Sequence, residues 1–160
     1  MMDLDALLRA LAQGGVEFII IGGVAAVAHG SSRLTQDLDV VYSRGPENLA
    51  RLSAALGPHH PYLRGAPPGL PFRWDVATIR RGLNFALSTD LGDIDLLGEV
   101  TGGGGYESLR PHTITLDLSG MACSCLDLEW LIRVKRAAGR PKDLEALAEL
   151  EALSEEREAT

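Results

Sequence analysis

An acidic pair at the start of a β-branched stretch constrains this chain most. Asp37 and Asp39 flank a leucine and precede two valines. The β-branched run favours a strand, which we predict over residues 36–42. Because residues i and i+2 of a strand face the same side, both carboxylates are expected on one face of a sheet. Two like charges at such a distance repel each other unless a cation lies between them, so the pair is a candidate metal site.

A pair of glycines, Gly22 and Gly23, follows an apolar run over residues 16–21 that predicts a short buried strand. A helix of small residues is predicted directly after the pair and ends near Gly30. Glycines have no side chain to hinder an approaching anion, and the first amides of a helix are free donors. The pair is therefore a candidate for binding phosphates.

The composition limits the class of protein. The chain has 160 residues, of which 46% are hydrophobic and 23% charged, as expected for one domain with its own core. We predict a single domain over residues 1–152, followed by an acidic C-terminal tail over residues 153–160. The acidic N-terminus and the lack of a long apolar run predict a cytoplasmic protein without membrane contact. A net charge of −7 argues against general nucleic-acid binding through a basic surface.

The order of predicted elements is helix, strand, helix, strand, helix, several strands and two helices. Strands over 83–89 and 93–97 flank a turn at residues 90–92, which requires an antiparallel pair. The prediction is an α/β (α+β) fold in which helices flank a small mixed β-sheet. Residues 57–71 contain five prolines and three glycines and predict a long surface loop, either a binding loop or disordered.

A third carboxylate is expected from the second strand of this hairpin. Asp93 and Asp95 share one face of that strand. We favour Asp95, because Asp93 lies nearer the turn, where its charge is more easily solvated. Near the C-terminus, Lys135, Arg140 and Lys142 belong to a local basic cluster, and such a cluster can bind phosphates even on an acidic protein.

Together, Gly22-Gly23, the Asp37-Leu-Asp39 motif and Asp95 resemble the polymerase-β-type nucleotidyltransferase superfamily. The finer pattern over residues 22–39, which includes a His-Gly step, an arginine and a threonine, is similar to the branch around the AbiEii-like and MenT-like nucleotidyltransferase toxins. The segment over residues 131–143 is similar to the same branch. The resemblance extends from about residue 16 to residue 150.

This resemblance implies a nucleotidyltransferase fold and the transfer of a nucleoside monophosphate from an NTP to a hydroxyl, with release of pyrophosphate. Asp37 and Asp39 would bind two Mg²⁺ ions, for which Mn²⁺ is an alternative. Asp95 would bind the catalytic ion and could accept the hydroxyl proton. Further residues are implied as nucleotide- or phosphate-binding: Gly22, Gly23, Arg33, Lys135, Arg140 and Lys142.

The resemblance leaves the acceptor open between a tRNA end, a protein side chain and a small molecule, and it includes a toxin–antitoxin pair as a context. Many members have Gly-Ser where this chain has Gly22-Gly23, so a hydroxyl is missing that Ser31 or Ser32 could supply. Arg33 could either order its loop or contact phosphate. The alternative function is a catalytically weak nucleotide-binding or antitoxin-like regulatory module on the same fold. A metal-dependent phosphohydrolase ranks below both.

Overall fold

A computed structural model describes residues 2–159 of the chain. Its α-helices are α1 (Leu4–Gln13), α2 (Gly22–Ala28), α3 (Pro46–Leu56), α4 (Val76–Arg81), α5 (Tyr106–Leu109), α6 (Leu128–Ala138) and α7 (Pro141–Ala159). Its strands are β1 (Phe18–Ile21), β2 (Asp37–Tyr42), β3 (Tyr62–Leu63), β4 (Asn84–Thr89), β5 (Gly92–Leu97), β6 (Thr113–Leu118) and β7 (Met121–Leu126).

These strands form one mixed sheet in the order β3-β4-β5-β2-β1-β7-β6. β2 pairs in parallel with β5 and antiparallel with β1, while β1 pairs in parallel with β7. The hairpin of β4 and β5 is antiparallel, as its turn predicted. The predicted α/β fold with a mixed sheet flanked by helices is therefore confirmed. No helix within residues 2–159 has the length and apolar character to cross a membrane.

The register between β2 and β5 places acidic residues side by side. Asp37 lies opposite Asp93, and Asp39 lies opposite Asp95. Because side chains alternate along each strand, all four carboxylates share one face of the sheet. Leu38 between the two acids is fully buried on the other face. One pairing thus fixes the position of every predicted carboxylate.

The sequence predicted a long surface loop over residues 57–71, but part of this segment forms a strand. Tyr62 and Leu63 form the edge strand β3, which pairs with β4. Pro61 and Pro67 lie outside this two-residue strand, so they remove no donor from its ladder. The strand brings the residue that follows it, Arg64, onto the sheet, where its backbone N–H donates to Ala86 O at 2.9 Å.

Helix α7 continues to Ala159, although an acidic tail was expected from residue 153. Leu150 is buried, Leu153 packs against the core, and Arg157 donates to His29 O at 3.1 Å. These contacts hold the last turns of α7 near the end of α2. The predicted boundary at residue 152 therefore does not coincide with the end of the helix.

Replacing Leu38 by alanine is expected to lower the free energy of unfolding by about 2–5 kcal/mol, because the side chain is fully buried beneath the acidic face. Urea denaturation measures the change. Leu34→Ala is the matched control, since Leu34 is 99% exposed and its loss should change stability by no more than about 0.5 kcal/mol. Equal effects of the two substitutions would contradict the assigned facing of β2.

Candidate active site

Three carboxylates meet above the β2–β5 pair. Asp37, Asp39 and Asp95 each offer an oxygen, and these oxygens lie within 4.8 Å of one another. Asp93 is not part of this group; its carboxylate lies 3.4 Å from Arg64 Nε and its side chain is 43% exposed. Asp95 rather than Asp93 thus lies with the acidic pair, and its role as a third ligand stays a prediction.

The negative charge of this group is only partly compensated by neighbouring cations. Burial, followed by the neighbouring Asp95 and Asp37, raises the pKa of Asp39 to about 8. Burial and the Asp95 carboxylate also raise the pKa of Asp37. Asp39 Oδ1 is buried and accepts no hydrogen bond from any residue in the described chain. Hard carboxylate oxygens at this spacing, one of them without a donor, fit a divalent cation such as Mg²⁺ or Mn²⁺.

Gly22 makes room for the acidic pair. Its φ of +68° lies in the left-handed region, and a Cβ at this position would lie 2.1 Å from Asp39 Oδ2. Any side chain here would be strained and would displace the carboxylate. The first glycine of the predicted phosphate site thus also allows Asp39 to approach the start of α2.

Gly23 makes room for a threonine. A Cβ on Gly23 would lie 2.7 Å from Thr35 Oγ1, and that hydroxyl donates to Asp37 O at 2.9 Å. Thr35 therefore occupies the space that the side chain of a serine at position 23 would need. Ser31 and Ser32 do not supply the missing hydroxyl here, because both donate to Glu149 of α7, at 2.5 and 3.2 Å.

Two of the predicted basic residues converge on one buried acid. Lys135 Nζ lies 3.2 Å from Asp143 Oδ1, and Arg140 Nε donates to Asp143 Oδ2 at 2.6 Å. The hydrogen bond from Arg140 is the main reason why the pKa of Asp143 is lowered to about 2. Asp143 was not singled out as a site residue in the sequence analysis. Its position next to Lys142, after the Gly-Arg-Pro break, was the available signal.

The predicted residues line two adjoining cavities of about 360 and 410 Å³. Asp39, Lys135 and Arg140 line both. The smaller cavity is also lined by Gly22, by apolar residues of α6 and by residues at and after the end of β5. The larger cavity takes in the other predicted residues, namely Gly23, Arg33, Asp37, Asp95 and Lys142. Arg33 also lies 3.9 Å from Glu149, so it is placed both to order its loop and to reach the cavity.

Arg64 is the site residue that sequence reasoning missed. Its Nη1 lies 2.9 Å from Asp95 Oδ1 and 3.6 Å from Asp37 Oδ2, and its Nε lies 3.4 Å from Asp93 Oδ2. It follows a two-residue strand inside a proline-rich segment. Nothing in the local sequence indicates that this segment lies beside the carboxylates.

Affinity for Mg²⁺ is expected to rise with pH up to about 8, because Asp39 must lose its proton before it binds a cation.

The same proton makes the stability of the metal-free protein depend on pH. Without metal, the folded protein keeps a proton that the unfolded chain releases near pH 4, so this group lowers stability as the pH rises from about 4 to about 8. Calorimetric titration and thermal unfolding across this range measure both trends. Asp39→Asn should weaken the stability trend, to which the raised pKa of Asp37 also contributes, and an unchanged affinity for Mg²⁺ across the range would contradict the assignment.

Asp143→Asn is expected to lower the free energy of unfolding by about 1–3 kcal/mol, because it removes the charged partner of the partly exposed Lys135 and Arg140. Urea denaturation measures the loss. Glu155→Gln removes an exposed acid from the same helix and serves as the control, with an expected change within about 0.5 kcal/mol. If the two variants were equally stable, Asp143 would not organise the basic residues.

Comparisons with known proteins relate this architecture to solved structures. Neither protein-family models nor the curated proteins gave a match to the sequence. The lincosamide antibiotic adenylyltransferase LnuA, in its lincomycin-bound crystal structure, superposes with a TM-score of 0.62 at 14% identity, over 94% of this chain and 96% of that one.

Two further solved structures are similar. A putative nucleotidyltransferase from Thermotoga maritima gives a TM-score of 0.58 at 15% identity, over 91% of this chain and 88% of that one. An antigenic nucleotidyltransferase-like protein from Paracoccidioides brasiliensis gives 0.52 at 17% identity, over 94% and 76%. The AbiEii-like and MenT-like branch stays a prediction. The chain has the nucleotidyltransferase fold that its sequence predicted.

Proposed function

We propose that this protein is a Mg²⁺-dependent nucleotidyltransferase that moves a nucleoside monophosphate from an NTP to a hydroxyl acceptor. The observation that carries the proposal is the convergence of Asp37, Asp39 and Asp95, whose oxygens lie within 4.8 Å of one another beside two cavities. The nucleotidyltransferase fold supports it. Because the reaction consumes NTPs, we propose a cytoplasmic location.

In this proposal Asp37 and Asp39 hold two ions, and Asp95 is the third ligand of the catalytic ion. When bound, the ions would neutralise the triphosphate and polarise its α-phosphate, and Mn²⁺ could replace Mg²⁺. The unpaired oxygen of Asp39 and its raised pKa support this ligand set. The acceptor oxygen forms a bond to the α-phosphorus, the bond to the β-phosphate oxygen breaks, and pyrophosphate leaves with that electron pair. Asp95 accepts the hydroxyl proton.

Basic side chains around the larger cavity would bind the phosphates. Lys135 and Arg140 face both cavities from their shared position on Asp143, while Arg33 and Lys142 line only the larger one. Backbone amides at Gly22 and Gly23 complete the proposed phosphate-binding residues. Since Asp143 neutralises part of the charge of its two partners and Glu149 lies 3.9 Å from Arg33, Lys142 carries the least compensated positive charge among these four residues.

Among the three acceptor classes we favour a small molecule. LnuA, an antibiotic adenylyltransferase, is of nearly the same length, since the superposition covers 96% of it. The net charge of −7 also disfavours a polyanionic RNA acceptor. The tRNA and protein acceptors, and a toxin–antitoxin partner, rest on the sequence resemblance alone.

Incubation of the protein with each α-labelled NTP, Mg²⁺ and a whole-cell extract tests the reaction. Label should enter a small-molecule fraction, and Asp95→Asn should lower the rate by about 10²–10⁴-fold because the proton acceptor is lost. Asp93→Asn is the matched control, an acid on the same strand face but outside the group of three, with a loss of no more than about tenfold.

Other outcomes separate the alternatives. Label in RNA or protein would contradict the proposed small-molecule acceptor and favour a toxin-type nucleotidyltransferase. NTP loss without a labelled acceptor would indicate a phosphohydrolase. NTP binding without any product would favour the regulatory module, and the absence of both binding and transfer would exclude the enzyme.

A further inference from the structure

The Arg64 guanidinium lies where the proposed reaction would need a metal ion. Its Nη1 is 2.9 Å from Asp95 Oδ1 and 3.6 Å from Asp37 Oδ2. We propose that Arg64 occupies this position only in the metal-free protein, and that metal binding transfers it from the carboxylates to a phosphate of the NTP. This inference rests on the proposed function, and it assigns Arg64 as a further substrate-binding residue.

The first step is competition for the same oxygens. One nitrogen of Arg64 contacts both Asp37 and Asp95, so it lies between two proposed ligands of one ion. Mg²⁺ binds carboxylate oxygens at about 2.0–2.1 Å and requires near-ideal octahedral geometry. A guanidinium remains charged at every physiological pH, so it cannot yield by losing a proton. The side chain must therefore move when the ion binds.

The second step is that Arg64 stays in the site after it moves. Its backbone N–H donates to Ala86 O at 2.9 Å, and its Nη2 donates to Leu87 O at 3.0 Å. Both acceptors belong to β4, the neighbour of the strand that carries Asp95. A side chain tied to β4 in this way can shift within the site but cannot swing far from it.

The third step is that the carboxylates do not satisfy the guanidinium. Within residues 2–159, the Nε of Arg64 is buried without a hydrogen bond, and so is Asp95 Oδ1 despite its 2.9 Å contact with Nη1. The Arg64 guanidinium and the Asp95 carboxylate are in contact, but the hydrogen bonds between them are poorly aligned. A phosphate offers several acceptor oxygens that match the guanidinium fork, and a phosphate bound by ions on these same carboxylates would lie beside Arg64.

Metal binding tests the competition without any turnover. Calorimetric titration of the metal-free protein with Mg²⁺ or Mn²⁺ should give at least about tenfold tighter binding for Arg64→Gln, because a competing positive charge is gone. Arg64→Lys keeps the charge and should bind metal about as the unchanged protein does. Arg73→Gln is the matched control, since it removes an exposed arginine shortly after segment 57–71, near Asp75, and should leave metal affinity unchanged.

Nucleotide binding tests whether Arg64 moves to a phosphate. Here Arg64→Gln is expected to weaken binding, whereas it is expected to tighten the binding of metal. At saturating Mg²⁺, Arg64→Gln should bind α,β-methylene analogues of the four NTPs about 10- to 100-fold more weakly, because a charged hydrogen bond to phosphate is lost. Arg64→Lys should also bind the analogues more weakly, since an ammonium cannot form the paired contacts of the fork. Circular dichroism and thermal unfolding establish that each variant is folded.

The outcomes separate this inference from the proposed function. Equal metal affinity in the unchanged protein and Arg64→Gln would overturn the competition, and equal analogue affinity would overturn the transfer to phosphate. If the unchanged protein and Arg64→Gln, both folded, bound neither metal nor analogue, the proposed function itself would fail. Tighter metal binding together with weaker analogue binding is the one combination that supports Arg64 in both positions.

Discussion

The parallel pairing of β2 with β5 is the constraint on which the site depends. It places Asp39 opposite Asp95, and the hydrophobic pair Leu38 and Ile94 locks that register from the other face. A slip of one residue would expose both apolar side chains and bury the carboxylates, so the core itself enforces the position of the acids. The geometry of the acidic group and the packing of the core therefore depend on the same strand pairing.

In a site that contains both acidic and basic side chains, the opposite charges tend to pair with each other. Asp143 opposes this pairing. Lys135 and Arg140 both also interact electrostatically with Asp39 of the sheet. Asp143 instead accepts contacts from both at 3.2 and 2.6 Å. The two cations thereby stay at the wall of the cavities, and the oxygens of Asp39 stay available to a cation. Burying the charge of Asp143 costs free energy, but it keeps the basic residues apart from the carboxylates of the sheet.

The sequence predicted those parts of the fold and site that have a local signature. The β-branched run after Asp39, the glycine pair and the hairpin turn each mark an element directly. Their order led to the confirmed mixed sheet, and all nine predicted residues line the two cavities. Asp143 had a local signal, its position next to the predicted Lys142, whereas Arg64 could not be found in this way, because its partners Asp37 and Asp95 are distant in sequence. An arginine after a two-residue edge strand has no periodicity from which its neighbours could be inferred.

The raised pKa values of Asp37 and Asp39 connect the chemistry to stability. Carboxylates held close together and buried disfavour their own charged form, so the metal-free fold is less stable at neutral pH than its packing alone would allow. A cation that binds only the folded protein would raise the free energy of unfolding and so compensate for this loss of stability. Arg64 supplies one positive charge against four carboxylates, which reduces the repulsion but leaves Asp39 without a partner. The fold thus tolerates the repulsion within the group while retaining most of the negative charge that would attract a divalent cation.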